Sequence, residues 1–102
     1  MTRRYVLAPE AARDLVQIWR HIQENAGLEI ANRVESVIRG KIVFLAVSPG
    51  AGHYRRELTD EPVKFFSVYS YLIVYRPATK PLQVVAILHG HRDVERLLKD
   101  RL

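Results

Sequence analysis

The segment Leu82-Gln83-Val84-Val85-Ala86-Ile87-Leu88 constrains this chain most. It has the β-branched, apolar content of a strand. Side chains alternate across a strand, so Val84 and Ala86 should share one face, with Val85 and Ile87 on the other. Both faces are apolar, and a strand of this kind must be covered twice. A helical layer can cover one side. The other needs a C-terminal helix, a curled sheet or a second protein, and a partner chain is the expectation. The segment runs directly into His89-Gly90-His91-Arg92-Asp93, which places two imidazoles, a guanidinium and a carboxylate at the end of a rigid element.

The chain has 102 residues, which suits one domain spanning 1–102. A domain of that size buries roughly 60–70% of its unfolded surface and can form one core without staples. There is no cysteine. That removes disulfides, zinc–thiolate sites and thiol chemistry, and agrees with a reducing compartment. The N-terminus lacks the apolar stretch of a signal peptide, and no run approaches the ~20 apolar residues that span a bilayer. The expectation is a soluble cytoplasmic protein without a membrane role. Sixteen Lys and Arg against eleven Asp and Glu give a formal charge of +5. Such a balance favours nucleic acid, ribosomes or an acidic protein as partner.

Arg4-Tyr5-Val6-Leu7 reads as a short strand. Pro9 suits the first turn of a helix, and Glu10 complements its dipole. Leu15, Ile18, Trp19 and Ile22 recur at helical spacing, with Asp14, Gln17 and Arg20 off the stripe. Gly27 is a natural stop. A second helix from Leu28 or Glu29 carries Ile30, Val34, Val37, Ile38, Ile42 and Leu45, and Ser48-Pro49-Gly50-Ala51-Gly52 closes it. Its wide apolar arc implies contact with more than one layer. Beyond Gly52 the period changes. His53 to Leu58 is a weak strand, Thr59 to Pro62 a turn, and Val63–Tyr69, Tyr71–Arg76 and Leu82–Leu88 are strands. Asp93 is placed to cap a short last helix through Val94, Leu97 and Leu98. The order β-α-α-β-β-β-β with a terminal helix makes an α+β domain, an N-terminal strand and a helical hairpin packed on an antiparallel four-stranded sheet.

Several side chains carry candidate chemistry. His89 and His91 would share a face if the strand continued, and imidazole is the usual acid or base near neutral pH. Equally, His89 packs at the strand end and Arg92 pairs with Asp93 or Glu57. Arg55 and Arg56 beside His53 and Tyr54 form a second basic group, suited to an acidic target or a phosphate, or else a solvated edge with an Arg56–Glu57 pair. Trp19 is either an anchor for a partner or core between helix and sheet. No metal-ligand spacing and no phosphate-cradling glycine loop occurs, so neither metal nor cofactor is expected.

Four segments together resemble a known superfamily. They are Ala11 or Ala12 with Asp14, Leu15 and Ile18; Pro49 and Gly52 before Arg56-Glu57-Leu58; Tyr71 to Arg76; and Ile87 to Asp93 followed by Leu97-Leu98. This pattern resembles the RelE/ParE toxins of bacterial type II toxin–antitoxin systems, and more the ParE branch. The resemblance implies a helical hairpin on a curved antiparallel sheet and neutralisation by an antitoxin, with operator DNA reached only through that antitoxin. It implies either of two activities. ParE-like members bind DNA gyrase and trap it on DNA; RelE-like members cleave messenger RNA in the ribosomal A site without metal.

The RelE branch uses lysines on a middle strand, arginines on the sheet and a late tyrosine or histidine. Metal-free cleavage needs such a base, acid and cations. Here the middle strand offers only Lys64, Leu72 stands where an arginine can occur, and Leu97 and Leu98 fall where the tyrosine would be. The gyrase-binding reading is therefore preferred, and the protein is expected to act without catalysis. Arg55, Arg56, His89, His91 and Arg92 are the expected target contacts. Leu15, Ile18, Trp19, Ile22, Val85 and Ile87 are the expected antitoxin contacts. Lys64, His89, His91 and Arg92 would form the catalytic set of a nuclease.

Overall fold

The structure, a computed structural model, describes residues 4–90 and 92–102. Strand β1 (Tyr5–Leu7) leads into helix α1 (Pro9–Ala26) and helix α2 (Leu28–Val47). A 3-10 turn (Pro49–Ala51) follows, then strands β2 (Lys64–Val68), β3 (Tyr71–Arg76) and β4 (Leu82–His89), and helix α3 (Val94–Lys99). No helix among the described residues is long and apolar enough to cross a membrane.

The helices form where local signals place them. Pro9 occupies the start of α1, and Glu10 lies in its first turn. Gly27 separates the two helices within one residue. Its N–H donates to the Gln23 carbonyl, and its own carbonyl accepts from Ala31. Its φ of 97° lies in the region that side chains disfavour. The resulting hairpin buries Ala11 and Leu15 of α1 with Ala31, Ile38, Ile42 and Leu45 of α2. Trp19 is half-buried, and its indole N–H donates to Asn32 Oδ1 at 2.8 Å, tying the two helices together.

The sheet order is β1-β4-β3-β2, and it is mixed: β1 pairs with β4 in parallel, Tyr5 opposite Leu82, while the other pairs are antiparallel. The expectation of a wholly antiparallel sheet fails at β1. A parallel neighbour needs a long crossover, which the helical hairpin and the β2–β3 pair provide. The weak strand at His53–Leu58 is not formed either. His53 makes a single bridge with Phe65, after which the chain turns, with Leu58 and Thr59 N–H both donating to Arg55 O. Charged Arg55, Arg56 and Glu57 have no apolar alternation to hold them against β2.

A register shift between Val74 and Tyr75 decides how β4 is covered. Val74 lies opposite Ala86 and Tyr75 opposite Val84, so Val85 is an extra residue, a β-bulge. Strict alternation is broken there. Val84 and Ile87 join the core under the helical hairpin, with Leu15, Ile38, Ile42, Ile73 and Tyr75. Val85, Ala86 and Leu88 join a second core with Val63, Phe65, Leu72 and Val74. That face is closed within the chain by Val94 and Leu98 of α3, with Leu58, Leu97 and Leu102 at its rim. The second cover is thus the C-terminal helix, and a partner chain is not needed for it. Asp93 caps α3, its carboxylate accepting from Arg96 N–H at 3.3 Å.

One buried carboxylate joins these layers. Asp14, only 9% exposed, projects from α1 towards β4. Its Oδ2 accepts from Ile87 N–H at 3.0 Å, beyond the point where the three-residue β1 stops pairing. The Arg101 guanidinium holds both carboxylate oxygens, at 2.9 and 2.7 Å, and its Nε also pairs with Glu10. The hydrogen bonds that Arg101 donates to Asp14 chiefly raise the Arg101 pKa above its ordinary value, against a smaller opposing effect of burial. The end of the chain is therefore pinned to the first helix across the edge of β4. Asp14→Ala would leave the Ile87 N–H without its acceptor and the Arg101 guanidinium with Glu10 alone. Urea denaturation is expected to register a loss of about 2–4 kcal/mol, and Arg101→Ala a smaller one because the carboxylate keeps the Ile87 bond.

Candidate target-binding surface

The end of β4 is fixed by the β2–β3 hairpin. Tyr69 takes a positive φ of 54° in the two-residue turn, and Gly90 N–H donates to Ser70 O at 2.8 Å. A Cβ on Gly90 would meet that same carbonyl at 3.3 Å, so the close approach favours glycine. His89 lies opposite Tyr71, the rings meeting edge-on with centroids 5.5 Å apart. Arg92 N–H then donates to His89 O at 3.1 Å, and the Arg92 side chain is exposed. No ion pair from Arg92 to Asp93 or Glu57 occurs among the described residues; Glu57 pairs instead with Arg55 at 3.0 Å. His91 lies outside the described residues.

His89 and Arg92 open onto a groove of about 200 Å³ between β4 and α1. Helix α1 contributes Asp14, Gln17, Ile18 and His21, and the sheet contributes Tyr71 and Ile87. His21 and Tyr71 belong to this site and were not singled out from the sequence. His21 follows Ile18 by three residues, so helical spacing alone could have brought it to the stripe's edge.

The second basic group sits elsewhere. Lys64 begins β2 opposite Tyr75, whereas Val68, at the other end of β2, lies opposite Tyr71 and hence beside His89. Four strand steps and two strand spacings put Lys64 roughly 16 Å from His89 between backbones. The set Lys64, His89 and Arg92 therefore does not converge on one reacting bond. Leu72 and Leu98, at positions where a nuclease of the RelE type can carry an arginine and a tyrosine, are buried in the α3-side core.

Around Lys64 the charges are arranged on aromatic rings. Lys64 Nζ and the Arg56 guanidinium each lie 4.9 Å from the Tyr54 ring centroid, and the Arg55 guanidinium lies 6.0 Å from that of Phe65. Arg56 also donates to Asp60 O at 3.2 Å. Both arginines are exposed on the turn after His53, an accessible patch at the opposite end of the sheet from His89.

That turn is held by Tyr75. Its buried hydroxyl donates to Pro49 O at 2.7 Å and accepts from Gly52 N–H at 2.9 Å. A Cβ on Gly52 would fall 2.5 Å from this oxygen.

The expected antitoxin contacts divide. Leu15, Val85 and Ile87 are 2%, 5% and 2% exposed and belong to the chain's own cores. Their side chains pack inside the fold and offer a docking partner little surface. Ile18, Trp19 and Ile22 are half-buried on α1. On the two long helices the large apolar side chains left in solvent are Val16 on α1 and Leu28, Ile30, Val43, Phe44 and Val47 on α2. Among the described residues no group of His, Asp and Glu is disposed to hold a metal ion.

Comparison with known proteins now decides the family. The family model described as "ParE toxin of type II toxin-antitoxin system, parDE" matches residues 5–94. The chain belongs to the ParE toxin family. Among solved structures it is similar to the "Chromosomal ParDE TA system from P. aeruginosa", with a TM-score of 0.70 at 22% identity over 83% of this chain and 92% of that one. At that identity the likeness speaks for the fold. No curated protein matches. As a ParE-family chain this is a toxin-type component of a two-protein system, and membership of that system implies a cognate antitoxin.

The Tyr75 hydroxyl gives a prediction for the turn that carries Arg55 and Arg56. Tyr75→Phe leaves Gly52 N–H and Pro49 O without their partner. Thermal or urea unfolding should record a loss of about 1–3 kcal/mol. Burial raises the Tyr75 pKa above its ordinary value near 10. The folded state thus favours the protonated phenol. Its contribution is complete below pH ~10 and is lost as pH rises through the higher folded value. Stability of the wild-type chain should fall more steeply above pH 10 than that of Tyr75→Phe.

Proposed function

We propose that this chain is the toxin of a type II toxin–antitoxin pair that arrests growth by binding DNA gyrase, and that a cognate antitoxin neutralises it. The match to the ParE family over residues 5–94 carries this reading. Two further observations support it. Lys64 stands apart from His89 and Arg92, and Leu72, Leu97 and Leu98 on the α3 side of the sheet are apolar where a RelE-type nuclease would carry an arginine and a tyrosine, both of which weigh against a metal-free RNase centre. Of the expected target contacts among the described residues, Arg55 and Arg56 at one end of the sheet and Arg92 at the other are exposed. Exposed arginines are strong anchors at protein interfaces because a planar guanidinium makes several hydrogen bonds at once.

The antitoxin reading is supported by the apolar surface of α2. Val43, Phe44 and Val47 project in solvent from its second half, and Arg4 and Arg39 line the groove between Val43 and β1. An amphipathic segment with apolar anchors and acidic flanks suits that surface, in keeping with the chain's net charge of +5.

A supercoiling assay with the purified chain tests the target. Gyrase should lose supercoiling activity and accumulate cleaved DNA, and added antitoxin should restore it. Arg92→Ala should raise the half-inhibitory concentration about tenfold, in line with a central interface arginine. The Arg56→Ala and Arg92→Ala effects should add to within about 0.5 kcal/mol, as for distant sites. Undisturbed gyrase at molar excess, with growth still arrested, would remove the gyrase target. Cut transcripts under the same conditions would move the activity to the ribosome.

A further inference from the structure

We propose that the groove between α1 and the end of β4 binds a phosphate group, held by Arg92 with His21, His89, Gln17 and Tyr71. The groove is about 200 Å³, below the range of pockets for drug-sized ligands, so it suits a single small group. It brings together hydrogen-bonding side chains from separate elements. Gln17 and His21 come from α1, Tyr71 from β3, His89 from β4, and Arg92 from the turn beyond it. The sequence keeps these residues far apart, and the helix–sheet packing assembles them.

The charges at this site favour an anion. Arg92 is cationic, and neither imidazole can carry negative charge. The one carboxylate on the wall is Asp14, and both its oxygens are already held by the Arg101 guanidinium and Ile87 N–H. Its charge is balanced inside the fold and does not oppose a ligand as a free carboxylate would. Ile18 and Ile87 complete the wall with apolar surface, which limits water and strengthens a charge-assisted bond.

The His21 ring has a further constraint. Asn25 Nδ2 lies 3.4 Å from His21 Nδ1, and the same amide donates to His21 O at 2.7 Å. An amide facing Nδ1 favours the tautomer with the proton on Nε2, which leaves that nitrogen as a donor. Donors on several sides of a small cavity match the oxygens of a tetrahedral phosphate. A planar carboxylate would be satisfied by the Arg92 fork alone.

The groove lies between α1 and the end of β4, where Leu88 of the α3-side core also reaches its wall, and at the opposite end of the sheet from the Arg55–Arg56 patch. The proposal goes beyond gyrase binding and does not depend on it. The test below uses no target protein, so either can fail without the other.

Histidine-ring NMR of the full chain, titrated with inorganic phosphate at constant ionic strength, reads the site directly. The His21 and His89 resonances should move together with one dissociation constant, while exposed His53 at the other end of the sheet stays fixed. Thymidine 5′-monophosphate should reproduce the shifts, and thymidine and acetate should not. Arg92→Ala should weaken phosphate binding about tenfold or more, and Arg92→Lys should retain part of it. His21→Phe, at an exposed position, gives a second reading if Arg92→Ala fails to fold. Unmoved rings, equal shifts with acetate, or wild-type affinity in a folded Arg92→Ala or His21→Phe variant would each overturn the proposal.

Discussion

Burial of β4 on both faces is the requirement around which the rest of this fold is arranged. Leu82, Val84 and Ile87 need the helical hairpin, and Val85, Ala86 and Leu88 need α3. Neither layer suffices alone. The two covers come from opposite ends of the chain, and the Asp14–Arg101 pair joins them across the strand edge. The same carboxylate serves the Ile87 N–H that β1 is too short to reach. A polar contact inside an apolar fold usually costs more than it returns. Here it has specific work, since without it one strand donor would be left unpaired where the sheet edge meets α1.

The parts of this architecture that local chemistry determines are legible in the sequence. Pro9 and Gly27 bound α1, Asp93 caps α3, and the three long strands follow from apolar content between turns. What escapes is what depends on distant partners. Parallel pairing of β1 is invisible to periodicity, because an extended segment reads the same in either direction. The bulge at Val85 is invisible for a related reason. It moves Ala86 to the face of Val85, yet both residues are apolar and neither marks the slip. At His53–Leu58 the failure is energetic. One bridge to Phe65 forms, and the charged residues beyond it have nothing to bury.

The candidate site divides in the same manner. His89 and Arg92 are legible because a polar cluster closes an apolar strand. His21 is not, because a polar residue on a helix ordinarily faces water, and only tertiary packing brings it to the strand end. Lys64 errs the other way. It sits on a strand that belongs to the same sheet, but strand order and register place it at the far end. Sharing a sheet is a weak guide to sharing a site, since a few residues along a strand exceed the reach of any side chain.

The two faces of the sheet also bear differently on what such a scaffold can do. On the α3 side, Leu72, Val74, Leu97 and Leu98 close an apolar core over the sheet. This core stiffens the sheet, so the exposed arginines are mounted on short turns tied to rigid elements: Arg92 through His89 O and Gly90, Arg55 and Arg56 through Tyr75 and Gly52. A protein that acts by docking gains from this arrangement. Contacts held in place before binding lose less entropy when the partner arrives, and that saving is available at an interface without any catalytic group. In this chain the constraint that buries β4 is therefore also what holds these exposed arginines in position.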